Sequence, residues 1–151
     1  MPKDLADLMH DLDNFPELEE ENIFEYEQLV FDIASYRDPT CIGRLLQELD
    51  DESPYTGTME NILINLEVFP LDIYFRELFA HFQQFYNNSP EWAESVICSF
   101  LNSDIHYRFL LQYASEIPPG AKAPFLTLLH KNINMNFRNE KCEELVRKLS
   151  E

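Results

Sequence analysis

Apolar side chains recur along this chain at intervals of three and four, the spacing of amphipathic helices rather than the alternation of strands. Leu5, Leu8, Met9 and Leu12 form one stripe, which predicts a first helix closed by Asn14, Phe15 and Pro16. Beyond Pro16, the acids Glu17, Glu19, Glu20 and Glu21 suit the positive end of a helix dipole. Ile23, Tyr26, Val30 and Ile33 continue as the buried face of that second helix, which should end near Tyr36. Asp38 and Pro39 supply an N-cap and a first-turn proline, and Ile42, Leu45, Leu46 and Leu49 give a third helix that stops at the cluster Asp50 to Pro54.

A loop through Tyr55, Thr56 and Gly57 leads into a fourth helix lined by Met59, Ile62, Leu63, Leu66 and Phe69, ended or bent by Pro70. The fifth carries Leu71, Phe75, Leu78, Phe79, Phe82, Phe85 and Tyr86, too wide a stripe for one neighbour, so it belongs at the centre. Ser89 as N-cap, Pro90 and Glu91 open a sixth with Trp92, Ala93, Val96, Ile97, Phe100 and Leu101 inward. Ile105, Phe109 and Tyr113 mark a seventh that ends near Ile117. After the turn Pro118-Pro119-Gly120, Phe125, Leu128, Leu129 and Ile133 mark an eighth. Cys142, Leu145, Val146 and Leu149 mark a ninth beyond an Asn-rich link from Asn132 to Asn139. The expectation is an all-α protein of eight or nine short helices, paired as antiparallel hairpins in a single bundle or a short HEAT-like superhelical stack.

At 151 residues with 45% hydrophobic and 13% aromatic content, the chain suits one domain spanning 1–151. It has no apolar run near the ~18 residues of a membrane span, and its Met-Pro-Lys-Asp-Leu start lacks a signal-peptide pattern, so a cytoplasmic protein is expected. Cys41, Cys98 and Cys142 are odd in number and far apart, each on an apolar face, as reduced core thiols would be.

Charge changes this picture. Residues 1–60 hold seventeen of the twenty-eight acids against Lys3, Arg37 and Arg44, a net of about −14 out of −17. Aromatics interleave with those acids, which argues for folded structure over a disordered tail. Direct nucleic-acid binding is disfavoured, because neutralising phosphates takes Lys and Arg. The C-terminal cations Lys122, Lys131, Arg138, Lys141, Arg147 and Lys148 are offset by nearby glutamates. An excess of this sign does nothing for the fold and serves solubility, association or the steering of a cationic partner.

The motifs of catalysis are missing. Neither Asp11-Leu12-Asp13 nor Asp50-Asp51-Glu52 has the glycine that a calcium loop needs at its sixth position. His10, His81, His106 and His130 lie in separate helices, and three glycines leave no phosphate loop. No enzyme, metal or cofactor is expected. Two acidic turns remain as candidate contact surfaces. One comprises Asp11, Asp13, Glu17, Glu19, Glu20 and Glu21, and the other Asp50, Asp51, Glu52 and Tyr55. They lie at opposite ends of the second helix or around one rim.

Between residues 57 and 103 the pattern is more distinctive. The run Gly57 to Glu67, an aromatic helix, the start Ser89-Pro90-Glu91-Trp92-Ala93-Glu94 and the close Leu101-Asn102-Ser103 resemble immunity protein family 30. That all-α family accompanies bacterial polymorphic toxins, including contact-dependent growth inhibition effectors. The resemblance implies a small protein that binds and neutralises a cognate toxin domain and carries no catalytic residue. Many such toxins are nucleases with cationic clefts, so a basic nuclease is the expected partner, and the acidic first sixty residues are taken to lie outside the matched segment. The other reading is an acidic helical adaptor that holds a basic protein or peptide in a groove lined by Tyr26, Phe82 and Tyr86.

Overall fold

The computed structural model describes residues 3–151, and among them there are ten α-helices, one 3-10 turn and no strand. The N-terminal third is α1 (Leu5–Asp13), α2 (Ile23–Ser35), α3 (Thr40–Leu46) and α4 (Thr56–Leu66). Local chemistry sets these bounds. Asp4 caps α1 by accepting the Asp7 N–H at 2.8 Å, and Asp38 caps α3 by accepting the Thr40 N–H at 3.0 Å and its hydroxyl at 2.8 Å. Those two Thr40 bonds, the backbone one foremost, hold the Asp38 carboxyl below its ordinary pKa. The second helix starts later than the acids suggested: Glu17 to Glu21 stand in a loop instead of a first turn. Asn22 holds that loop, accepting from the Glu19 N–H at 2.8 Å and donating to the Glu17 carbonyl at 2.9 Å.

The predicted aromatic helix is two, α5 (Leu71–Ala80) and α6 (Phe82–Asn88), broken at His81. The break lies where α3 presses closest. A Cβ on Gly43 would stand 2.5 Å from the His81 Nε2, so α3 reaches its seat only because residue 43 has no side chain. With the bend, Phe79 stacks on Phe125 at 5.2 Å and on Tyr113 at 5.9 Å, while Phe82 meets Phe85 edge-on at 6.2 Å. Both phenylalanines are buried, and truncating Phe79 to Ala would cost about 3–5 kcal/mol.

The remainder is α7 (Pro90–Leu101), α8 (Asp104–Tyr113), the 3-10 turn Ala114–Glu116, α9 (Pro119–Asn134) and α10 (Asn139–Leu149). Pro119 and Gly120, expected in a turn, form the first turn of α9, whose entry is pre-set by proline. Ile105, expected inward, is exposed. The link before α10 is only residues 135–138, with Asn136 and Arg138 in left-handed conformation. The three cysteines are free; Cys41 and Cys142 are buried and Cys98 is half-buried. Among the described residues no helix is long and apolar enough to cross a membrane.

The topology places the acidic turns. The Tyr36 hydroxyl donates to the Lys3 carbonyl, so α1 and α2 run antiparallel. The Thr58 hydroxyl donates to Glu27 at 3.0 Å and the Arg37 guanidinium to the Val68 carbonyl at 2.7 Å, so α2 and α4 lie side by side and parallel. With α3 descending between them, the α1–α2 loop and the α3–α4 loop emerge at the same end. Among the later helices α7 packs on its chain neighbours α6 and α8, and α9 packs on α10 and on the more distant α6. Their apolar faces form a continuous core from Leu8 to Leu149.

Candidate partner-binding cleft

Those two loops face each other across a cleft of about 630 Å³. Phe15, Pro16, Glu17 and Leu18 form one wall; Asp50, Glu52, Ser53, Pro54 and Tyr55 form the other; Tyr26, Glu48 and Met59 lie between them. Four of these residues are carboxylates, and none is Lys or Arg. The two acidic turns therefore share one rim, which settles the geometry that spacing left open.

The cleft is rigid at its base. The buried Tyr26 donates its hydroxyl to Glu48 at 2.6 Å, and Phe15 packs edge-on against its ring at 5.2 Å. Burial, with the Glu48 bond added, pushes the Tyr26 phenol well above its ordinary pKa, so it remains a neutral donor. Arg44 donates to Glu48 at 2.7 Å and to Asp13 at 2.9 Å. Partial burial opposes the Arg44 charge, but these two carboxylates outweigh it and raise its pKa. Arg44 thus compensates Glu48 at the base of the cleft, while Glu17, Asp50 and Glu52 have no Lys or Arg among the lining residues.

The second wall is held by a segment forty residues away. The Asp51 carboxylate accepts the N–H groups of Glu91 and Trp92, each at 3.0 Å, and the Trp92 indole donates to the Asp50 carbonyl at 3.2 Å. The Ser89 hydroxyl donates to the Leu49 carbonyl. Since Pro90 has no N–H, Asp51 satisfies both free donors of the first turn of α7. Ser89 is therefore not the side-chain cap that its position predicted. The Asp50 carboxylate accepts the Glu52 N–H at 2.9 Å, which tightens the turn.

The ten candidate residues now separate by what they touch. Asp11 pairs with Lys3, Asp13 with Arg44, and Asp51 caps α7; all three are engaged inside the protein. Glu17, Asp50, Glu52 and Tyr55 line the cleft. Glu19, Glu20 and Glu21 stand exposed on the same loop without lining it. Glu48 went unnoticed as a cleft residue, although the Arg44–Glu48 spacing of four was a signal that it would be held, and Tyr26, expected in an aromatic groove, lies in this acidic cleft instead. The aromatic groove does not form as expected, because Phe82 is fully buried. Among the described residues, no three His, Cys, Asp or Glu side chains are grouped to hold a metal ion.

The chain belongs to the family of immunity protein 30, whose model matches residues 14–110, well over half its length. The match begins before α2, so it includes both walls of the cleft; the acidic segment is not outside it, as the 57–103 motifs alone implied. Asp11 and Asp13 fall just outside the match. No curated protein and no solved structure matches the chain.

Proposed function

We propose that this immunity protein binds and neutralises a cognate toxin domain with a basic surface, and that the cleft between the two acidic loops receives a Lys or Arg side chain of that surface. The observation that carries this reading is the convergence of Glu17, Asp50 and Glu52 on one cleft whose lining, among the described residues, contains no Lys or Arg, inside the segment the family shares. A guanidinium or ammonium entering there meets carboxylates on both walls and the ring of Tyr55. Uncompensated charge at the mouth also accelerates encounter, because potentials of one sign in a cleft raise on-rates for an oppositely charged partner. A nuclease toxin, whose substrate groove must itself attract phosphates, has the complementary surface, and neutralisation then follows from covering that groove.

Glu17 and Glu52 are the residues to perturb, since both are exposed and, among the described residues, neither side chain has a bonded partner. Reversing both to Lys should slow association with the toxin domain encoded beside this chain by about 10-fold or more at low salt, with the gap closing in 0.5 M salt, where the Debye length is only about 4 Å. Cells carrying the double variant should lose protection. An unchanged association rate at low salt, together with full protection, would remove the cleft from the interface.

A further inference from the structure

Four large apolar side chains of α2, α4 and the residues after α4 stand in solvent: Phe24 is 84% exposed, Ile64 60%, Phe31 55% and Val68 43%. Isolated exposed apolar residues are ordinary, but these are grouped by the topology. Phe24 and Phe31 lie two turns apart on α2, Ile64 lies on α4, and Val68 follows its end. The bonds Thr58–Glu27 and Arg37–Val68 each span thirty-one positions, so the parallel helices are level at that offset. Phe24 is then level with Tyr55 at the cleft, and Phe31 with Ile62, half a turn before the exposed Ile64. A stripe begins at the cleft rim and runs along the outer seam of α2 and α4.

Packing does not account for this stripe, because an 84% exposed phenylalanine buries almost nothing. Charge indicates its occupant. The charged residues of α2 are Glu25, Glu27 and Asp32, and that of α4 is Glu60; neither helix has a Lys or Arg, and Arg37, just past α2, is bonded to the Val68 carbonyl at the far end of the seam, so the four acids outnumber it. A second copy seated on this seam would set those carboxylates against their equivalents, which is unfavourable. A basic surface meets them favourably. We propose that Phe24, Phe31, Ile64 and Val68 form the apolar half of the toxin-binding face, and that they take an apolar patch ringed by Lys and Arg on the toxin domain. This rests on the immunity reading above. The exposed area of the stripe is roughly 400 Å², taking phenylalanine-sized side chains near 200 Å². That is about half of the ~800 Å² that a stable interface buries per partner, leaving the cleft and its loops to supply the rest.

The test uses the full chain and an inactivated form of the toxin domain encoded beside it, with kinetics measured at low salt and in 0.5 M salt. Phe24→Ser with Phe31→Ser should leave association within about 2-fold and speed dissociation by about 30-fold or more at both salts, as loss of interface anchors does. Ile64→Arg, on the other helix, should also speed dissociation, and serves if the α2 double variant folds poorly by circular dichroism. Unchanged dissociation in these variants, with the parent chain binding normally, overturns the stripe and leaves the immunity reading standing. No binding by the parent chain overturns that reading and the stripe's partner with it. A parent chain that is dimeric at tens of micromolar and becomes monomeric in the double variant assigns the seam to a second copy and overturns the proposal.

Discussion

Replacing Asp51 separates the residues that build the acidic rim from those free to meet a partner. Its carboxylate accepts two N–H groups at the start of α7, Glu91 and Trp92 at 3.0 Å each. Asp51→Ala leaves both donors without that acceptor, and loss of a capping acceptor costs about 1 kcal/mol, up to about 2. Removing a negative charge from the positive end of a helix adds about 0.3–1 kcal/mol. A total near 2 kcal/mol follows, which in a chain of this size lowers Tm by about 4–8 °C. At a urea slope near 2 kcal/mol/M it moves the midpoint by about 1 M. Asp51→Asn, which keeps an acceptor but not the charge, should fall between. Asp50→Lys with Glu52→Lys should lose far less, although Glu52's N–H gives up its side-chain acceptor at residue 50. Equilibrium urea unfolding followed by circular dichroism reads all of these. An Asp51→Ala midpoint within about 0.2 M of the parent would refute the cap as a stabilising contact, and a triple reversal at 50–52 would then report on binding alone.

Gly43→Ala should lower stability by about 1 kcal/mol, since a Cβ only 2.5 Å from the His81 imidazole outweighs the helix propensity gained. In a His81→Ala background the same change should raise stability by up to about 1 kcal/mol; a denaturation cycle without that reversal of sign would reject the contact. The thiols of Cys41 and Cys142 are pushed up to about 11, chiefly by burial. At pH 8 their thiolate fraction in the folded protein is on the order of 10⁻³, so labelling with a disulfide reagent should be at least a hundred-fold slower than in urea. The sign follows from the raised value. Unfolded thiols, at 9.0, lose their protons first, so this contribution to stability is constant below about pH 9 and falls toward about pH 11. Prompt labelling of Cys41 in the native protein would contradict its burial.

Much of the helical order was legible, because each segment carries its own apolar stripe and most ends carry proline or a short polar residue. Leu5 to Leu12 and Thr40 to Leu46 needed only local spacing and a cap; α1 lies where expected, and α3 starts as expected but ends at Leu46, short of the expected Leu49. The break at His81 was hidden, since Phe75, Phe79, Phe82 and Phe85 keep helical spacing through it and its neighbour, Gly43, is thirty-eight positions away. Glu17 to Glu21 resembled a helix start because carboxylates favour the dipole, but the Asn22 side chain stabilises a loop there instead. At the cleft, spacing identified the two acidic turns and left their meeting undecided, a matter of helix direction. It also could not distinguish Asp51 from Asp50 or Glu52, since what differs is a partner forty residues on.

The indole contact between the loops and α7 has an experimental consequence. Trp92 is the chain's one tryptophan, and its Nε1–H donates to the carbonyl of Asp50, a residue of the cleft wall. Its fluorescence is therefore an internal optical gauge of that wall. Titration with a tryptophan-free ligand, whether a basic peptide or arginine itself, can be followed by emission wavelength without a dye, and amide exchange at Glu91 and Trp92 should slow in parallel when the wall is held.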